Sequence, residues 1–222
     1  MNLMEAIKNR HSVRRYNERS LEKTVISSLK KEIDACNQES GLHIQLVINE
    51  PKAFDGFMAH YGKFSGVTNY IAMIGQKSPH LQEQCGYYGE KLVLLAQQLG
   101  LNTCWVALTY GKVKNAFTID RGEKLCAVIA LGYGETQGVA HKSKKLSEVV
   151  QADGPLPDWF QKGVEAALLA PTAMNQQKFL FTLKGNRVSV KAGRGFYTKM
   201  DAGIVKYHFE VGAGENGWEW GD

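Results

Sequence analysis

The sequence predicts a fold of the α+β class, in which long helices are combined with short strands. Apolar residues recur at helical spacing in four stretches of the chain. Between these stretches lie short runs rich in β-branched and aromatic residues, the pattern expected of strands. The 222 residues are 44% hydrophobic and 22% charged, a composition typical of globular proteins. One or two domains are compatible with this length.

Four stretches have the apolar spacing of helices. The first follows Ser20, which can serve as its N-cap, and ends before Gly41. The second, from about residue 85 to residue 99, is expected to be the most buried helix. The third ends before Pro171, because a residue that precedes proline is disfavoured in the helical conformation. The stripes that define the four helices are Leu21, Val25, Leu29 and Ile33; Tyr88, Leu92, Leu95 and Leu99; Phe160, Val164, Ala167 and Leu168; and Ile204, Tyr207, His208 and Val211.

Five runs predict strands. The run at residues 125–131 is continuously apolar, as in a strand covered on both faces. The last two runs predict a hairpin that turns at Gly185 and Asn186. An irregular segment at residues 53–67 separates the first two runs. In chain order the runs are residues 43–49, 68–75, 125–131, 178–183 and 187–191.

The charge balance favours an anionic ligand. Lysine and arginine outnumber aspartate and glutamate by 27 to 22, which gives a net charge of +5. The basic residues are spread along the chain and do not alternate with aromatic residues, so no nucleic-acid partner is expected. The six histidines and four cysteines show no ligand spacing, so no metal site is expected either.

A cytoplasmic protein without a membrane partner is expected. The longest apolar run, residues 125–131, is far shorter than the ~20 residues that a membrane-spanning helix needs. The first ten residues lack the apolar core of a signal peptide. The cysteines form no disulfide framework, which is consistent with a reducing compartment.

Three polar segments could bind a phosphate or a ring carbonyl. Residues 10–14 supply two guanidinium groups, an imidazole and a hydroxyl within five positions. Residues 142–145 form a second basic group, and residues 171–177 are rich in hydrogen-bonding groups directly after a helix. Each also has a simpler interpretation, a solvated basic turn in the first two cases and a helix-terminating loop in the third.

Taken in order, these segments resemble the FMN-dependent nitroreductase family, in particular its small, divergent branch. The N-terminal sequence RHSVRRY, residues 10–16, is similar to the signature R-[RH]-S-x-[RK]-x-[FY] of that family. The sequence LAQQLGLNTCWVAL, residues 95–108, resembles the stretch that passes the flavin N5 edge. Residues 127–150 resemble the closing strand and the basic tail that contacts phosphate. The APTAMNQQKF sequence, residues 170–179, resembles a flavin-lining loop that in typical members follows the first long helix.

The resemblance implies a set of FMN-binding residues. Arg10, His11, Ser12 and Arg14 would bind the phosphate and the pyrimidine edge, Lys142 and Lys144 would form a second phosphate clamp, and Lys63 would contact the flavin. Pro171, Thr172, Ala173 and Asn175 would line the isoalloxazine ring, mainly through backbone groups. Near N5, Trp105 opens a Trp-Val-Ala-Leu sequence where many relatives have Pro-x-Glu-Gly, which leaves backbone N–H donors of Ala107 and Leu108.

The resemblance also implies the architecture. It predicts one nitroreductase-like domain over residues 1–222, with a central mixed, mainly antiparallel sheet flanked by helices. Residues 1–150 would form the main half. Residues 151–222 would be a shortened second copy that stands in for the partner subunit of dimeric relatives. The protein would then be a monomer built as an internal pseudo-dimer.

The implied function is that of an FMN-dependent oxidoreductase. Hydride would pass from NAD(P)H to FMN and on to a small-molecule acceptor, such as a nitroaromatic or a quinone. No side chain is expected to be catalytic, because the flavin carries out the chemistry. The alternatives are a flavin-binding protein for storage or sensing with little turnover, and a relative that fragments flavin or removes a ring halogen.

Overall fold

The computed structural model describes residues 1–215 and 217–221, and within them the chain combines six α-helices with eight strands. The helices are α1 (Leu3–Asn9), α2 (Lys23–Ser40), α3 (Phe57–Tyr61), α4 (Leu81–Gln98), α5 (Asp158–Ala167) and α6 (Thr198–Ala213). The strands are β1 (Gln45–Val47), β2 (Asn69–Gln76), β3 (Asn102–Val106), β4 (Glu123–Gly132), β5 (Val150–Ala152), β6 (Phe179–Lys184), β7 (Arg187–Ala192) and β8 (Glu219–Trp220). The predicted α+β class is confirmed. None of the helices in the described residues is long and apolar enough to cross a membrane.

The chain divides into two compact units, each with a four-stranded sheet. The first unit consists of Asn9–Leu81 and Lys91–Ala140. Its strands are ordered β1-β2-β4-β3, and every pair is antiparallel. Buried residues of β2 and β4 form its core together with aromatic residues from the segment between β1 and β2. The continuously apolar run predicted at residues 125–131 lies at the centre of this sheet, within β4.

The second unit consists of Met1–Lys8, Gln82–Glu90 and the described residues from His141 onward. Its strands are ordered β5-β6-β7-β8, with parallel pairs at both edges and the antiparallel β6–β7 hairpin between them. The hairpin confirms the turn predicted at Gly185 and Asn186. Phe209 of α6 packs against Phe160, Phe181 and Trp218, with ring centroids 5.0 to 5.7 Å apart.

Two helix-end predictions have different outcomes. Gly41 is the C-cap of α2, as predicted, and its φ of 70° is a left-handed conformation that glycine adopts without a steric penalty. The prediction of Ser20 as the N-cap was wrong. Glu22 occupies that position, with an extended backbone and no side-chain capping bond.

Helix α4 is buried differently from the predicted stripe. Of the four predicted stripe residues only Leu92 is buried, whereas Tyr88, Leu95 and Leu99 are half-buried. Burial extends around the helix and includes polar Glu90. A single stripe was the wrong expectation, because a helix covered on several sides has no exposed face to set its periodicity.

Within the second unit, α6 and the N-terminal half of α4 approach each other at two glycines. A Cβ on Gly203 would lie 1.9 Å from the carbonyl oxygen of Glu83, and one on Gly86 would lie 2.0 Å from that of Met200. Both distances are too short for any side chain. Glycine at these two positions therefore allows the two backbones to touch.

Candidate functional site

The basic segment, residues 10–16, leaves helix α1 and continues as extended chain within the first unit. The amide of Val13 donates to the carbonyl of Thr103 in β3, at 3.0 Å. Further along, the carbonyl of Arg14 accepts from the amide of Ser65, and the amide of Tyr16 donates to the carbonyl of the same residue, both at 3.0 Å. The basic segment is therefore held by backbone hydrogen bonds between β3 and residue 65.

The basic segment has both buried and exposed side chains, and from Ser12 to Arg14 they alternate between the solvent and the interior. Val13 and Tyr16 are buried, and the Tyr16 hydroxyl donates to the Val13 carbonyl at 2.7 Å. Burial raises the pKa of Tyr16 well above its ordinary value, so the phenol stays neutral. Ser12 and Arg14 are exposed and, being two positions apart in extended chain, lie on the same side. The segment thus presents a hydroxyl and a guanidinium together.

Cys104 in β3 shows which predicted residues come together. Burial raises the pKa of its thiol, while Arg14, a hydrogen bond with Ser12, and Arg10 act in the opposite direction. All three polar residues therefore lie close to the same sulfur atom. With its pKa raised, the thiol is protonated at neutral pH and is a poor nucleophile.

Lys63 lies in the turn that follows α3, next to a residue that contacts Arg14. The next residue, Phe64, is buried, and the guanidinium carbon of Arg14 lies 5.9 Å from the centroid of its ring. Lys63 itself has a φ of 62°, an unfavourable conformation for a non-glycine residue. At Gly62 a Cβ would lie 2.7 Å from Thr109, so this turn touches the loop after β3.

The remaining predicted residues of the first unit lie in β3, in the loop that follows it, and in the basic segment. Ala107 and Leu108 directly follow the end of β3, and Leu108 is exposed. Trp105 is half-buried in β3, beside Cys104. A Cβ added at residue 138 would lie only 2.8 Å from the Cβ of His11, so glycine is favoured at this position.

The predicted residues of the second unit form a separate group, the 171–177 loop with residues 142–144. The Lys142 carbonyl accepts hydrogen bonds from the side-chain amides of Asn175 and Gln177, each at 2.9 Å. The Lys144 backbone N–H donates to Oε1 of Gln177 at 2.8 Å, and its ammonium donates to the carbonyl of the same residue at 2.9 Å. The Lys144 side chain therefore contributes to holding the loop, whereas that of Lys142 is exposed.

Gln177 is the centre of this group, and the sequence did not single it out. Its side chain is buried, and its backbone N–H donates to Oγ1 of Thr172 at 3.0 Å. Because the loop after a helix is usually exposed, a glutamine within it carried no signal of burial. Pro171 precedes this network and is half-buried.

Asp201 of α6 is a second residue that the sequence prediction missed. Its carboxylate accepts the Ala173 amide at 3.0 Å and the side-chain amide of Gln176 at 2.7 Å. Burial raises its pKa to about 6, although the two hydrogen bonds act in the opposite direction. An aspartate among Met200, Ala202 and Gly203 was the available signal, since a charged residue in an apolar stretch is seldom buried without partners.

One group of side chains could hold a metal ion on ligand type alone. His43 Nδ1 lies 2.9 Å from Oε2 of Glu123 and 4.0 Å from a carboxylate oxygen of Asp120. The Glu123 carboxylate also accepts the Asp120 amide at 2.7 Å. These contacts form an ordinary ion-pair and hydrogen-bond cluster. His43 is far from Asp120 and Glu123 in the sequence, so the spacing of possible metal ligands along the chain did not indicate it.

The predicted site residues thus fall into two groups, one in each unit. Those of the first unit are Arg10, His11, Ser12, Arg14, Lys63, Trp105, Ala107 and Leu108. Those of the second unit are Lys142, Lys144, Pro171, Thr172, Ala173 and Asn175.

Comparisons with known proteins place this architecture in a family. The family model described as "Putative TM nitroreductase" matches residues 2–213. A solved structure from Thermotoga maritima, described as a "putative nitroreductase", is 24% identical with a TM-score of 0.68, over 95% of this chain and 83% of that chain. No curated protein sequence matches the chain.

Two further solved structures share part of the fold. A "putative nitroreductase in complex with FMN" from Desulfovibrio desulfuricans is 16% identical with a TM-score of 0.53, over 71% of this chain and 99% of that chain. A "Putative NADH dehydrogenase/NAD(P)H nitroreductase" from Parabacteroides distasonis is 22% identical with a TM-score of 0.53, over 67% and 97%. At these identities the structures establish a common fold. Because the family model spans nearly all of the sequence, the chain belongs to the nitroreductase family that this model describes.

Proposed function

We propose that this protein is an FMN-dependent oxidoreductase that takes hydride from NAD(P)H and reduces a small electrophile, such as a nitroaromatic or a quinone. Membership of the nitroreductase family supports the general class of reaction. The FMN complex of the Desulfovibrio structure suggests the cofactor, and the name of the Parabacteroides structure suggests the donor. Residues of this chain supply the physical argument.

The observation that carries the proposal is the paired exposure of Ser12 and Arg14. Both lie on one side of the basic segment, and Arg14 has no carboxylate partner among the residues that the structure describes. Its neighbour Arg15 is also exposed but does have such a partner, since its guanidinium Nε lies 3.5 Å from a carboxylate oxygen of Glu135. Guanidinium and hydroxyl groups are strong donors to phosphate and to ring carbonyls. This donor set fits the phosphate and the pyrimidine edge of FMN.

Other residues of the first unit complete this proposed cradle. Arg10 and His11 belong to the same segment, and Lys63 adds a cation from the turn that touches the loop after β3. The backbone N–H groups of Ala107 and Leu108, together with Trp105, are the candidate contacts to the ring. The protonated Cys104 thiol adds a small, uncharged group behind them.

When bound, FMN supplies the hydride chemistry, so the protein needs no catalytic side chain of its own. The chain's residues bind and orient the group. Arg14 places a permanent positive charge near its site, which stabilises negative charge at the ligand. In the second unit, Pro171, Thr172, Ala173 and Asn175 are candidate ring contacts, and Lys142 and Lys144 are candidate phosphate ligands.

The test is an FMN titration of the purified chain, with two arginine variants compared. Arg14→Ala should weaken FMN binding about 10- to 100-fold, because one charge-assisted hydrogen bond contributes ~1.5–3 kcal/mol. Arg15→Ala is the matched control, since it removes the same charge from a neighbouring exposed residue that already pairs with Glu135. Equal affinities of the two variants would contradict the assignment of Arg14.

A turnover assay separates the oxidoreductase from its alternatives. The FMN-loaded protein should oxidise NADH or NADPH when a nitroaromatic or a quinone is added. Stoichiometric FMN with no oxidation of either donor would favour storage or sensing. A chain that neither retains nor takes up FMN would overturn the proposal altogether.

The pseudo-dimer remains a separate proposal about the same chain. It predicts one FMN per chain in a monomeric protein, with residues 151–222 standing in for a partner subunit. Analytical ultracentrifugation of the FMN-loaded protein, combined with the flavin absorbance, measures both quantities. An obligate dimer would contradict it without affecting the proposed chemistry.

A further inference from the structure

A buried carboxylate in the second unit has no part in the proposed chemistry, yet it binds the 171–177 loop at two points. Asp201 is 3% exposed. Its Oδ1 accepts the amide of Ala173, and its Oδ2 accepts the side-chain amide of Gln176. Gln176 also donates to the carbonyl of Phe196 at 2.9 Å. One carboxylate thus links the loop to the start of α6.

The loop has a conformation that needs such support. Met174, Asn175 and Gln177 have φ values of 51°, 53° and 45°, although none of them is glycine. Each such residue is disfavoured by contacts of its Cβ with the backbone. Met174 is also largely exposed, so its own side chain contributes little packing. The conformation therefore depends on hydrogen bonds from outside the loop.

Asp201 is well placed to supply them, because its helix is fixed. The glycine contacts between α6 and the first half of α4 lie at Met200 and Gly203, on either side of Asp201. Lys206, further along α6, forms an ion pair with Glu83 of α4. A shift of the carboxylate would require the two helices to separate.

Neighbouring charged groups do not explain why the pKa of Asp201 is raised. On α6, Lys199 is exposed and Lys206 is bound to Glu83. On α4, Tyr87 donates to Glu210 of α6. The loop side contributes Lys178 and Arg194, both exposed, and beyond them Lys142 and Lys144. Burial and the hydrogen bonds from Ala173 and Gln176 determine the pKa of Asp201, which is raised to about 6.

We propose that Asp201 is a positioning residue: its carboxylate holds the 171–177 loop in the conformation that presents Pro171, Thr172 and Ala173 to the flavin, and proton uptake loosens this hold. A neutral carboxyl group is a weaker acceptor for both N–H donors. The loop then loses support for its left-handed residues. The part of this inference that concerns flavin rests on the proposed function, whereas the part that concerns the loop does not.

The loop part is tested by amide NMR of the full-length protein between pH 8 and pH 4.5. In the wild type, the backbone amide of Ala173 and the side-chain amide of Gln176 should titrate together, with a midpoint of about 6. Hydrogen exchange at residues 173–177, corrected for intrinsic rates, should accelerate below that midpoint. Absence of a shared titration would overturn the inference, and this result needs no variant.

Two aspartate variants sharpen the test. Asp201→Asn preserves size but places an N–H donor opposite Gln176, so the titration should disappear and the loop should exchange about tenfold faster at pH 8. Asp158→Asn is the control, because its exposed carboxylate pairs only with Lys162 on α5 within the described chain. Wild-type protection of the loop in Asp201→Asn would overturn the inference.

FMN binding then distinguishes this inference from the proposed function. The phosphate of FMN itself titrates near pH 6, so the useful quantity is the ratio of wild-type to Asp201→Asn affinity. It should be about tenfold at pH 8 and approach one at pH 5. Equal affinities at pH 8 would overturn the positioning role. Failure of the wild type to bind FMN at pH 8 would overturn the proposed function, while the loop titration would still test the hold by Asp201.

Discussion

The two groups of candidate residues are built in opposite ways. In the first unit, the basic segment is attached through its backbone, and the side chains of Ser12 and Arg14 are exposed. In the second unit, the 171–177 loop is attached through its side chains, with Gln177 buried and bonded to both Lys142 and Lys144.

This difference predicts how each group responds to substitution. Ser12 and Arg14 are exposed and make only weak contacts within the protein, a hydrogen bond of Ser12 with the Cys104 thiol and the approach of Arg14 to the Phe64 ring. Removing either side chain should therefore change the free energy of unfolding little. Removing a side chain from a buried network leaves its partners without hydrogen bonds, at a cost of ~1–3 kcal/mol for each group. Ser12 and Arg14 should therefore act mainly on ligand affinity, and the second group on stability as well.

The largest effect on stability is expected at the close contact between α6 and α4. Gly203→Ala should lower the free energy of unfolding by at least about 3 kcal/mol, because its Cβ would meet a backbone carbonyl that cannot rotate away. Urea denaturation measures this change. The control is Gly56→Ala, where the added Cβ meets nothing within 4 Å. Similar stability losses in both variants would contradict the close contact.

The second largest effect on stability is expected at Gln177, the centre of the loop's hydrogen-bond network. Gln177→Ala should cost about 2–3 kcal/mol, because the amide of Lys144 loses its acceptor and two donated bonds disappear. Thermal and urea denaturation give the value. Gln161→Ala is the matched control, since that amide bonds only to exposed Glu165 on the same helix within the described residues. A loss below ~0.5 kcal/mol at residue 177 would mean that the network contributes nothing to stability.

An opposite sign is expected at Asp201. Its pKa is raised from 3.8 to about 6 in the folded protein, so the charged form destabilises the fold above pH 6. Asp201→Asn should therefore raise the free energy of unfolding at pH 8 by about 1–2 kcal/mol, less than the ~3 kcal/mol that two pKa units represent, because asparagine bonds the loop poorly.

The pH dependence of the free energy of unfolding tests whether the charged form of Asp201 destabilises the fold. As the pH falls from about 6 to about 4, folded Asp201 takes up a proton before the unfolded chain does, so wild-type stability rises. The advantage of Asp201→Asn should shrink over this range. Urea denaturation at several pH values measures it, and a constant difference between the two proteins would contradict a buried, titrating carboxylate.

The smallest effect compares one hydroxyl from each group. Thr172→Val should lower the free energy of unfolding by about 1 kcal/mol, because the backbone N–H of Gln177 loses its acceptor while the side-chain volume is preserved. Ser12→Ala removes only a weak hydrogen bond with the Cys104 thiol, which keeps the Trp105 carbonyl as a partner at 3.6 Å. It should therefore change the free energy of unfolding by less than ~0.5 kcal/mol and act on FMN affinity instead. Denaturation and FMN titration of both variants give the comparison. Equal stability losses would remove the distinction between the two groups.

Much of the fold could be predicted because local sequence determines it. The end of α2 at Gly41, the β6–β7 hairpin and the buried strand β4 each depend on a short pattern of residues. Helix α3 was not predicted, since Phe57 and Tyr61 are exposed and no apolar stripe marks its five residues.

Strand β3 was hidden for a different reason. It begins with Asn102 and Thr103, which are polar yet buried. Asn102 accepts the amide of Gly134 and donates to Gln137, both at 3.0 Å. These partners lie more than thirty positions away, so no local pattern could show that the polar side chains would be satisfied in the interior.

The sequence by itself determined the family resemblance, the α+β class and the types of chemical group near the proposed ligand. The sequences RHSVRRY and APTAMNQQKF identify the chemical groups, because the type of each residue determines the chemistry of its side chain. Tertiary structure alone decided that Ser12 and Arg14 lie on one side near Cys104, that Gln177 is buried, and that Asp201 holds the loop. Burial and long-range hydrogen bonds depend on which segments meet, and a single segment cannot specify its partners.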